Sequence, residues 1–167
     1  KTLEADTLAV LADLNHASQK GLQTIFDSSV GRSTVNHPLG GRYQITPTEA
    51  SVQKLPVQHG VTHTASVMAQ GFNPYIAEWS PYHGAAYAVI EATARLVAAG
   101  ANWSKARFSY QEYFERMDKQ AERFGQPVAA LLGSIEAQIQ LGLPSIGGKD
   151  SMSGTFEELK VPPTLVA

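Results

Sequence analysis

The clearest hydrophobic pattern in the chain lies between Tyr82 and Ala99. Apolar side chains recur there at helical spacing, and Gly100 ends the repeat. The pattern predicts a helix with one broad apolar face, and its many alanines favour close packing on a sheet. The positions of that face are Ala86, Val89, Ile90, Thr93, Leu96 and Val97.

Two further helices are predicted downstream of this one. The first is expected to begin at Ser109, because Ser109 and Glu112 have the spacing of a capping box, and to end at Gly125. The second carries Pro127 in its first turn and ends at Gly142. The middle of the chain is therefore expected to be helical throughout.

The first fifty residues give weaker signals. Residues 7–26 show helical spacing in two pieces, although Leu8–Leu14 also fits a strand edge. Residues 27–50 are rich in Ser, Gly, Thr and Pro and are typical of a loop, with a short strand around Tyr43 and Ile45. We expect a helical and loop segment here.

Strands are predicted on both sides of the helical region. The apolar positions around Pro56 indicate an edge strand, and the β-branched stretch Val61–Phe72 indicates a second strand. A short strand is expected to lead into the glycines at 147 and 148, and a last one begins near Pro163. This order predicts an α+β fold, with a mainly antiparallel sheet covered on one face by helices.

Composition and length limit the class of protein. A chain of 167 residues with 43% hydrophobic and 17% charged residues is typical of one globular domain. We expect a segment 1–50 that packs on a sheet-and-helix unit 51–167. The net charge of −2 gives no argument for nucleic acid or for an anionic membrane. The sequence has no cysteine, which excludes disulfides, thiolate zinc sites and a cysteine nucleophile.

The two ends of the chain suggest a fragment of a longer protein. The sequence starts without methionine and stops within an apolar run at 164–167. It shows neither a signal peptide nor an apolar run of the length that spans a membrane. The expectation is a cytoplasmic protein without membrane or nucleic-acid partners.

The glycine-rich segment 145–155 carries the strongest candidate chemistry. Adjacent glycines let backbone N–H groups approach an anion, and a lysine and two serines add polar contacts. The spacing is not that of a Walker A loop, and a plain turn is the alternative. The candidate phosphate-binding residues are Gly147, Gly148, Lys149, Asp150, Ser151 and Ser153.

Other polar residues are weaker candidates. His83 and Gly84 lie at the start of the main predicted helix, where an anion is favoured, and the aromatic loop around them is expected to be packed. Asp27 and Arg32 belong to a polar turn that can order a loop or meet phosphate.

Two pairs of side chains have a spacing that suggests an ion site. Glu91 and Arg95 lie one helical turn apart, which fits either an exposed ion pair or a carboxylate directed at a metal–nucleotide site. His59 and His63 would share one face of a continuous strand, but no third zinc ligand is indicated.

Several stretches together resemble the phosphoribosylformylglycinamidine synthase family, the ATP-dependent amidating ligases of purine biosynthesis. They are LADLNHASQKGLQTIFDSSVGRSTV, GGRYQITP, THTASVMAQGFNP, EWSPYHGAAYAVIEATARLVAAG and LGLPSIGGKDSMSGTF. The chain resembles the amino-terminal sheet domain of the second aminoimidazole-ribonucleotide-synthetase-like half of the large single-chain form. The resemblance implies a domain that follows soon after Ala167 and a glutaminase domain elsewhere in the same chain. It also implies ATP and magnesium in the full enzyme, and a β-barrel shared between the two halves.

The chain departs from that family at the auxiliary nucleotide site. Family members with a magnesium-bound nucleotide there carry Asp where this chain has His59, and Asn where it has Arg95. Glu91 remains as a residual metal ligand. We therefore expect weak or no magnesium–nucleotide binding in this half, and no catalysis by the chain alone.

Three interpretations of function stay open. The chain is expected to be a scaffold domain of the ligase that forms a homodimer when isolated, because a barrel half leaves sheet surface uncovered. One alternative is a freestanding nucleotide-binding or regulatory module. Another is a metal-binding domain that uses His59 and His63.

Overall fold

The computed structural model describes residues 2–25 and 33–167, which form an α+β fold. Its helices are α1 (Leu3–Ala12), α2 (Lys20–Gln23), α3 (Pro74–Trp79), α4 (Pro81–Ala98) and α5 (Ala121–Leu141), with a 3₁₀ turn at Trp103–Lys105. Its strands are β1 (Leu39–Gly40), β2 (Thr46–Pro47), β3 (Ala50–Lys54), β4 (Ala65–Ala69), β5 (Phe108–Tyr113), β6 (Ser145–Lys149), β7 (Thr155–Phe156), β8 (Leu159–Lys160) and β9 (Thr164–Val166).

The strands form several small sheets. The pairs β1–β2, β3–β4 and β7–β8 are antiparallel, and a three-stranded sheet has the order β6-β5-β9. Within that sheet β9 is antiparallel to β5, as predicted, whereas β6 is parallel to β5. The α+β class and the largely antiparallel pairing are confirmed, and the parallel pair is the exception.

One backbone pair joins the two larger sheets. Gly71, just after β4, donates to and accepts from Ala167, just after β9, with N–O distances of 3.0 and 3.1 Å. The strands therefore follow one another as β3-β4, then this pair, then β9-β5-β6. A Cβ atom at Gly71 would overlap the carbonyl oxygen of Ala88 on α4. Only glycine therefore lets this segment lie so close to the helix.

Helices α4 and α5 cover one face of the three-stranded sheet. Side chains along β5 alternate between buried and exposed, as expected for a strand with one covered face. The main core is made of buried apolar side chains from these helices and strands. Its members are Ala85, Ala88, Val89, Ala92, Phe108, Tyr110, Phe114, Ala130, Ala137, Leu143, Leu165 and Ala167.

Small side chains bring α4 and α5 close together. The buried residues of α4 are Gly84, Ala85, Ala88, Val89, Ala92 and Thr93. On α5, a Cβ atom at Gly133 would overlap the carbonyl oxygen of Tyr82. The predicted bounds of α4 are confirmed, but its buried face is shifted, because Ile90 and Val97 are exposed.

The helix predicted to start at Ser109 is wrong. Residues 108–113 form strand β5, in which Phe108, Tyr110 and Glu112 are buried. The Ser109/Glu112 spacing matched a capping box by chance, and the period-two alternation of the same residues decides the structure.

The start of the last helix also differs from the prediction. Helix α5 begins at Ala121, so Gly125 and Pro127 lie inside it, while the predicted end at Gly142 is confirmed by a left-handed φ of 68°. Asp118 precedes the helix, and its Oδ1 accepts a hydrogen bond of 2.9 Å from the N–H of Gln120.

The remaining predictions are partly confirmed. The amino-terminal helix does occur in two pieces, α1 and α2, and neither contains a buried residue. The predicted strand Val61–Phe72 is limited to β4. Tyr43 and Ile45 lie in a turn and its exit rather than in a strand.

The aromatic loop before α4 is less packed than expected. Asn73 caps the short helix α3 through hydrogen bonds from the N–H groups of Tyr75 and Ile76. Tyr75 and Trp79 are 68% and 74% exposed. The prediction of a packed loop is therefore wrong for these two rings, and the small residue Ala77 makes the buried contact with α4.

Candidate functional site

The glycines of the candidate segment lie in a strand. They form part of β6, which pairs with β5 on one side only and is exposed along its whole length. Gly148 is aligned with Tyr110, and a Cβ atom there would lie 2.8 Å from the Tyr110 carbonyl oxygen. Glycine is required because the two backbones approach each other closely.

The polar residues after β6 are held against the end of β5. Ser151 donates its N–H to the carbonyl of Glu112, and its own carbonyl accepts from the N–H of Phe114, both at 2.9 Å. The hydroxyl groups of Ser151 and Ser153 are 2.8 Å apart. These contacts fix Asp150, which directly precedes Ser151, beside Glu112.

A cleft of about 290 Å³ opens between this segment and the amino-terminal half of α5. Four of the predicted site residues line it, together with acidic, aromatic and apolar side chains from β5 and α5. The lining residues are Tyr110, Glu112, Pro127, Leu131, Ser145, Gly147, Gly148, Lys149, Asp150 and Met152.

Two buried groups give the cleft its electrostatic character. Burial raises the pKa of Glu112, and the negative charge of Asp150 raises it further. Burial and the charge of Glu112 together raise the pKa of Tyr110, so its phenol stays protonated at neutral pH. The Tyr110 hydroxyl is buried and has no hydrogen-bond partner among the residues that the structure describes.

Lys149 also lines the cleft, but among the described residues it forms no ion pair with either carboxylate. The ammonium of Lys149 lies 5.8 Å from the centre of the Tyr113 ring. Tyr113 belongs to the exposed face of β5, opposite to Tyr110 and Glu112. Within residues 2–25 and 33–167, neither Glu112 nor Asp150 forms an ion pair.

His83 and Gly84 lie away from this cleft, at the start of α4. The ring Nδ1 of His83 is 2.8 Å from the hydroxyl of Ser80, the capping residue of α4, and the ring contacts Trp79 at a centroid distance of 5.1 Å. Gly84 is buried, and a Cβ atom there would come within 2.6 Å of Ala77. The packing of α3 on α4 is thus a sufficient reason for glycine at position 84.

Glu91 occupies a third place, on the side of α4 that faces the β3–β4 hairpin. Its Oε2 accepts the N–H of Phe72 at 2.8 Å, and its Oε1 pairs with Arg95 at 2.8 Å. Arg95 also contacts the Glu49 carboxylate at 2.6 Å and the Gln70 carbonyl at 2.7 Å. The ion pair between Glu91 and Arg95 is present as the sequence predicted.

This arrangement does not fit magnesium. Both oxygens of Glu91 already have partners, and the guanidinium of Arg95 occupies the space beside one of them. Arginine offers no acceptor atom and cannot bind a cation. The residual carboxylate Glu91 is therefore engaged in holding the fold together.

The remaining candidate residues are dispersed over the fold or lie outside the described residues. His59 is in a bend and His63 is in an extended segment before β4, so they do not share a strand. In the described part of the chain, no group of three or more His, Cys, Asp or Glu residues is arranged to hold a metal. Asp27 and Arg32 lie outside the described residues.

The residues that the sequence prediction missed are Tyr110 and Glu112. The sequence pattern predicts both in a helix, and a helix there does not place them beside the glycine segment. The alternation of apolar and polar residues in FSYQEY was the available signal, because it places both side chains on one face of a strand.

None of the described helices has the length and apolar character needed to cross a membrane. No family model matches the chain, and no curated protein sequence matches it.

Solved structures do match the chain. It superposes on PurLQS from Thermotoga maritima with a TM-score of 0.71 and 19% identity, over 90% of this chain and 23% of that one. PurL from the same organism complexed with AMPPCP matches with a TM-score of 0.66 and 19% identity, over 93% of this chain and 24% of that one. PurL complexed with FGAR matches with a TM-score of 0.58 and 21% identity, over 82% and 20%.

These matches establish that the chain has the fold of part of PurL, as the sequence resemblance predicted. The chain spans between a fifth and a quarter of the length of these structures.

Proposed function

We propose that this chain is a sheet-and-helix domain of a phosphoribosylformylglycinamidine synthase-like ligase, and that residues 147–153 contribute to its nucleotide or phosphate site. The observation that carries the proposal is the match to PurLQS over 90% of the chain, combined with the cleft beside the glycine segment. PurL from Thermotoga maritima has been solved in complex with ATP, with ADP and with FGAR, which fits a ligand of this class.

The geometry of the segment supports phosphate contact. Strand β6 is exposed and has one unpaired edge, so a ligand can approach its backbone. Lys149 is the last residue of β6 and lines the cleft, and the hydroxyls of Ser151 and Ser153 supply short donors. Together they provide the donors that a phosphate group needs.

A role as a scaffold follows from the size of the chain relative to its structural neighbours. We infer that the remaining domains of the same enzyme, including a glutaminase domain, complete the site and supply most of the groups that act on ATP. The chain has no cysteine and so cannot itself supply a glutaminase cysteine nucleophile. An isolated chain is expected to hydrolyse no ATP in the presence of formylglycinamide ribonucleotide, and measurable turnover would contradict this role.

Magnesium–nucleotide binding at Glu91 is proposed to be weak or absent, because Arg95 already pairs with that carboxylate. ATP and magnesium are cofactors of the full enzyme in this proposal. Replacing Arg95 by Met is expected to leave magnesium affinity at this place low, since a single carboxylate remains.

A homodimer of the isolated chain is also proposed. The outer face of β5 is exposed and β6 has an unpaired edge, and both surfaces favour association with another sheet. Sedimentation velocity over a wide concentration range tests this proposal. A species that stays monomeric at the highest concentration would contradict it.

The phosphate site is tested by titration of the chain with ADP and with inorganic pyrophosphate, followed by amide chemical shifts. Residues 147–153 are expected to shift, and Lys149→Met is expected to weaken binding about tenfold, because it removes one charge-assisted contact. Lys119→Met, at an exposed loop position, is the matched control and is expected to have no effect. Equal binding by both variants would remove Lys149 from the site.

A further inference from the structure

Helix α5 carries its largest apolar side chains on the outside. Its small residues Ala130, Gly133 and Ala137 are buried, whereas six large apolar side chains are 42–73% exposed. At about 100° per residue, these six fall within one stripe about 100° wide. The members of this α5 stripe are Phe124, Val128, Leu131, Leu132, Ile135 and Ile139.

The α5 stripe lies beside strand β6. Leu131, in the middle of the stripe, lines the same cleft as Gly147, the middle residue of β6. Gly133, which is roughly 150° away around the helix, faces the carbonyl of Tyr82 on α4. The stripe therefore points away from α4, toward the free edge of the sheet and beyond it.

Strand β6 has no neighbour on its outer side among the residues that the structure describes. At the opposite end of the larger sheets, β3 is covered, because Val35 donates its N–H to Val52 at 2.8 Å and Lys54 donates to Ser33 at 2.7 Å. All of β6 is exposed, and its Ile146 is 77% exposed. A free strand edge offers backbone donors and acceptors to another strand.

The uncovered surface is large enough for a stable protein contact. The α5 stripe and Ile146 together present roughly 700 Å² of apolar surface, since large side chains have about 150–250 Å² each and these are about half exposed. The largest apolar patch on a typical monomer has about 300–600 Å². A standard interface covers about 800 Å² on each partner, so the area fits one side of such an interface.

We propose that the α5 stripe and the free edge of β6 bind the same surface of a second copy of this chain about a two-fold axis. The partner must bring a strand with free backbone groups and an apolar helix beside it, and the chain itself carries that combination. Because the middle of the stripe lies beside the middle of β6, one axis pairs both elements with their own copies, each antiparallel. The sheet then continues from one copy to the other beneath the packed helices.

This inference rests on the proposed function only in that a homodimer was proposed there, and it names the contact surface. It needs neither a closed barrel nor a second ligase half. The outer face of β5 carries the polar side chains Ser109 and Gln111. The apolar α5 stripe therefore favours the β6 side over that face.

Sedimentation velocity of a charged variant tests the surface. Leu132→Lys is expected to raise the dissociation constant of the dimer about tenfold or more, because it places an unpaired charge in the middle of the contact. Ile90→Lys is the matched control, since Ile90 is also half exposed but lies on α4, outside the surface. A parent chain that stays monomeric, or a dimer that Leu132→Lys does not weaken, would overturn the inference.

Crosslinking tests the two-fold arrangement independently, and it does not depend on the lysine variant being folded. The chain has no cysteine, so a single introduced thiol is the only site of reaction. A short bismaleimide is expected to join two copies of Leu132→Cys and to leave Ile90→Cys monomeric. Equal crosslinking at both positions would contradict the axis beside the α5 stripe.

Pyrophosphate separates this inference from the phosphate proposal. The dimer covers the β6 edge, so pyrophosphate bound there is expected to shift the equilibrium toward the monomer. Dimerisation that is equal with and without pyrophosphate would support the interface and remove the phosphate contact at that edge. Shifts at residues 147–153 in a chain that never dimerises would support the phosphate site and overturn the interface.

Discussion

The guanidinium of Arg95 lies 2.8 Å from the carboxylate of Glu91, one turn earlier on α4. The same guanidinium contacts Glu49 and the carbonyl of Gln70, so a single side chain connects the helix to the segments on both sides of the β3–β4 hairpin. A position that the resemblance associates with a metal ligand is thus used here to join two parts of the fold.

Replacing Arg95 by Met is expected to lower the free energy of unfolding by about 1–2 kcal/mol, because two carboxylates and one carbonyl lose their partner. Urea denaturation followed by circular dichroism measures the change. Arg95→Lys keeps the charge but not the three-way geometry and should recover only part of the loss. Unchanged stability in Arg95→Met would show that these contacts contribute nothing.

The contact between α4 and α5 depends on Gly133. Gly133→Ala is expected to destabilise the fold by about 1–3 kcal/mol, because the added methyl group would overlap the Tyr82 carbonyl. Gly125→Ala is the matched control on the same helix. It has open space around it and should stabilise the fold by about 0.5–1 kcal/mol through helix propensity.

Thermal unfolding of the two alanine variants measures both predicted changes in stability. The predicted order of melting temperatures is Gly125→Ala above the parent chain, and Gly133→Ala below it. A reversal of that order would mean that the helices are not packed as described.

The raised pKa of Glu112 makes stability depend on pH. Its carboxyl is protonated more readily in the folded chain than in the unfolded one, so the folded state binds more protons over that interval. Stability is therefore expected to fall as pH rises from the ordinary value of 4.5 through the raised pKa of the folded state. At pH values above that raised pKa, the full cost of the buried charge is present.

Glu112→Gln removes the buried negative charge, so the variant measures what that charge costs the fold. In metal-free buffer the variant is expected to be more stable than the parent chain at pH 7, and the difference should disappear near pH 4. Denaturant unfolding at both pH values measures it, with Glu136→Gln as the control that shows no such pH-dependent gain. A variant that is less stable than the parent at pH 7 would mean that the carboxylate has a favourable partner.

The buried hydroxyl of Tyr110 is expected to contribute nothing to the stability of the chain without ligand. Tyr110→Phe keeps the ring that stacks on Phe108 and removes an unpartnered polar atom. The free energy of unfolding should stay the same or rise by up to about 1 kcal/mol. Tyr113→Phe, on the exposed face of β5, is the control, and a loss of stability in Tyr110→Phe alone would reveal a partner for the hydroxyl.

The longest helices show what sequence patterns predict well. The bounds of α4 and the end of α5 at Gly142 follow from local signals, namely helical spacing and a glycine that accepts a left-handed conformation. The buried face of α4 does not follow from them. It consists mainly of glycine and alanine, with Val89 and Thr93, because α5 packs closely against it and the larger side chains of Ile90 and Val97 lie outside the contact.

Strand β5 is the element that the sequence pattern predicted wrongly, as part of a helix. Ser109 and Glu112 satisfied the local requirement for a helix start, while the alternation of buried residues depended on tertiary contacts with α4 and β9. The error carried over to function, because it removed Tyr110 and Glu112 from the candidate site. The glycine segment was predicted to approach an anion, which stays a prediction, and the close neighbour that the structure gives Gly148 is the backbone of Tyr110.

The backbone pair between Gly71 and Ala167 has a consequence for local unfolding of the protein. Two backbone hydrogen bonds connect the β3–β4 hairpin to β9, and the polar contacts of Glu91 and Arg95 connect its ends to α4, whereas buried apolar side chains hold α4 and α5 together. A partial opening in which the hairpin swings away leaves the principal apolar interior intact. Amide protons of β3 and β4 should accordingly exchange with solvent well before those of α4, in two separable stages.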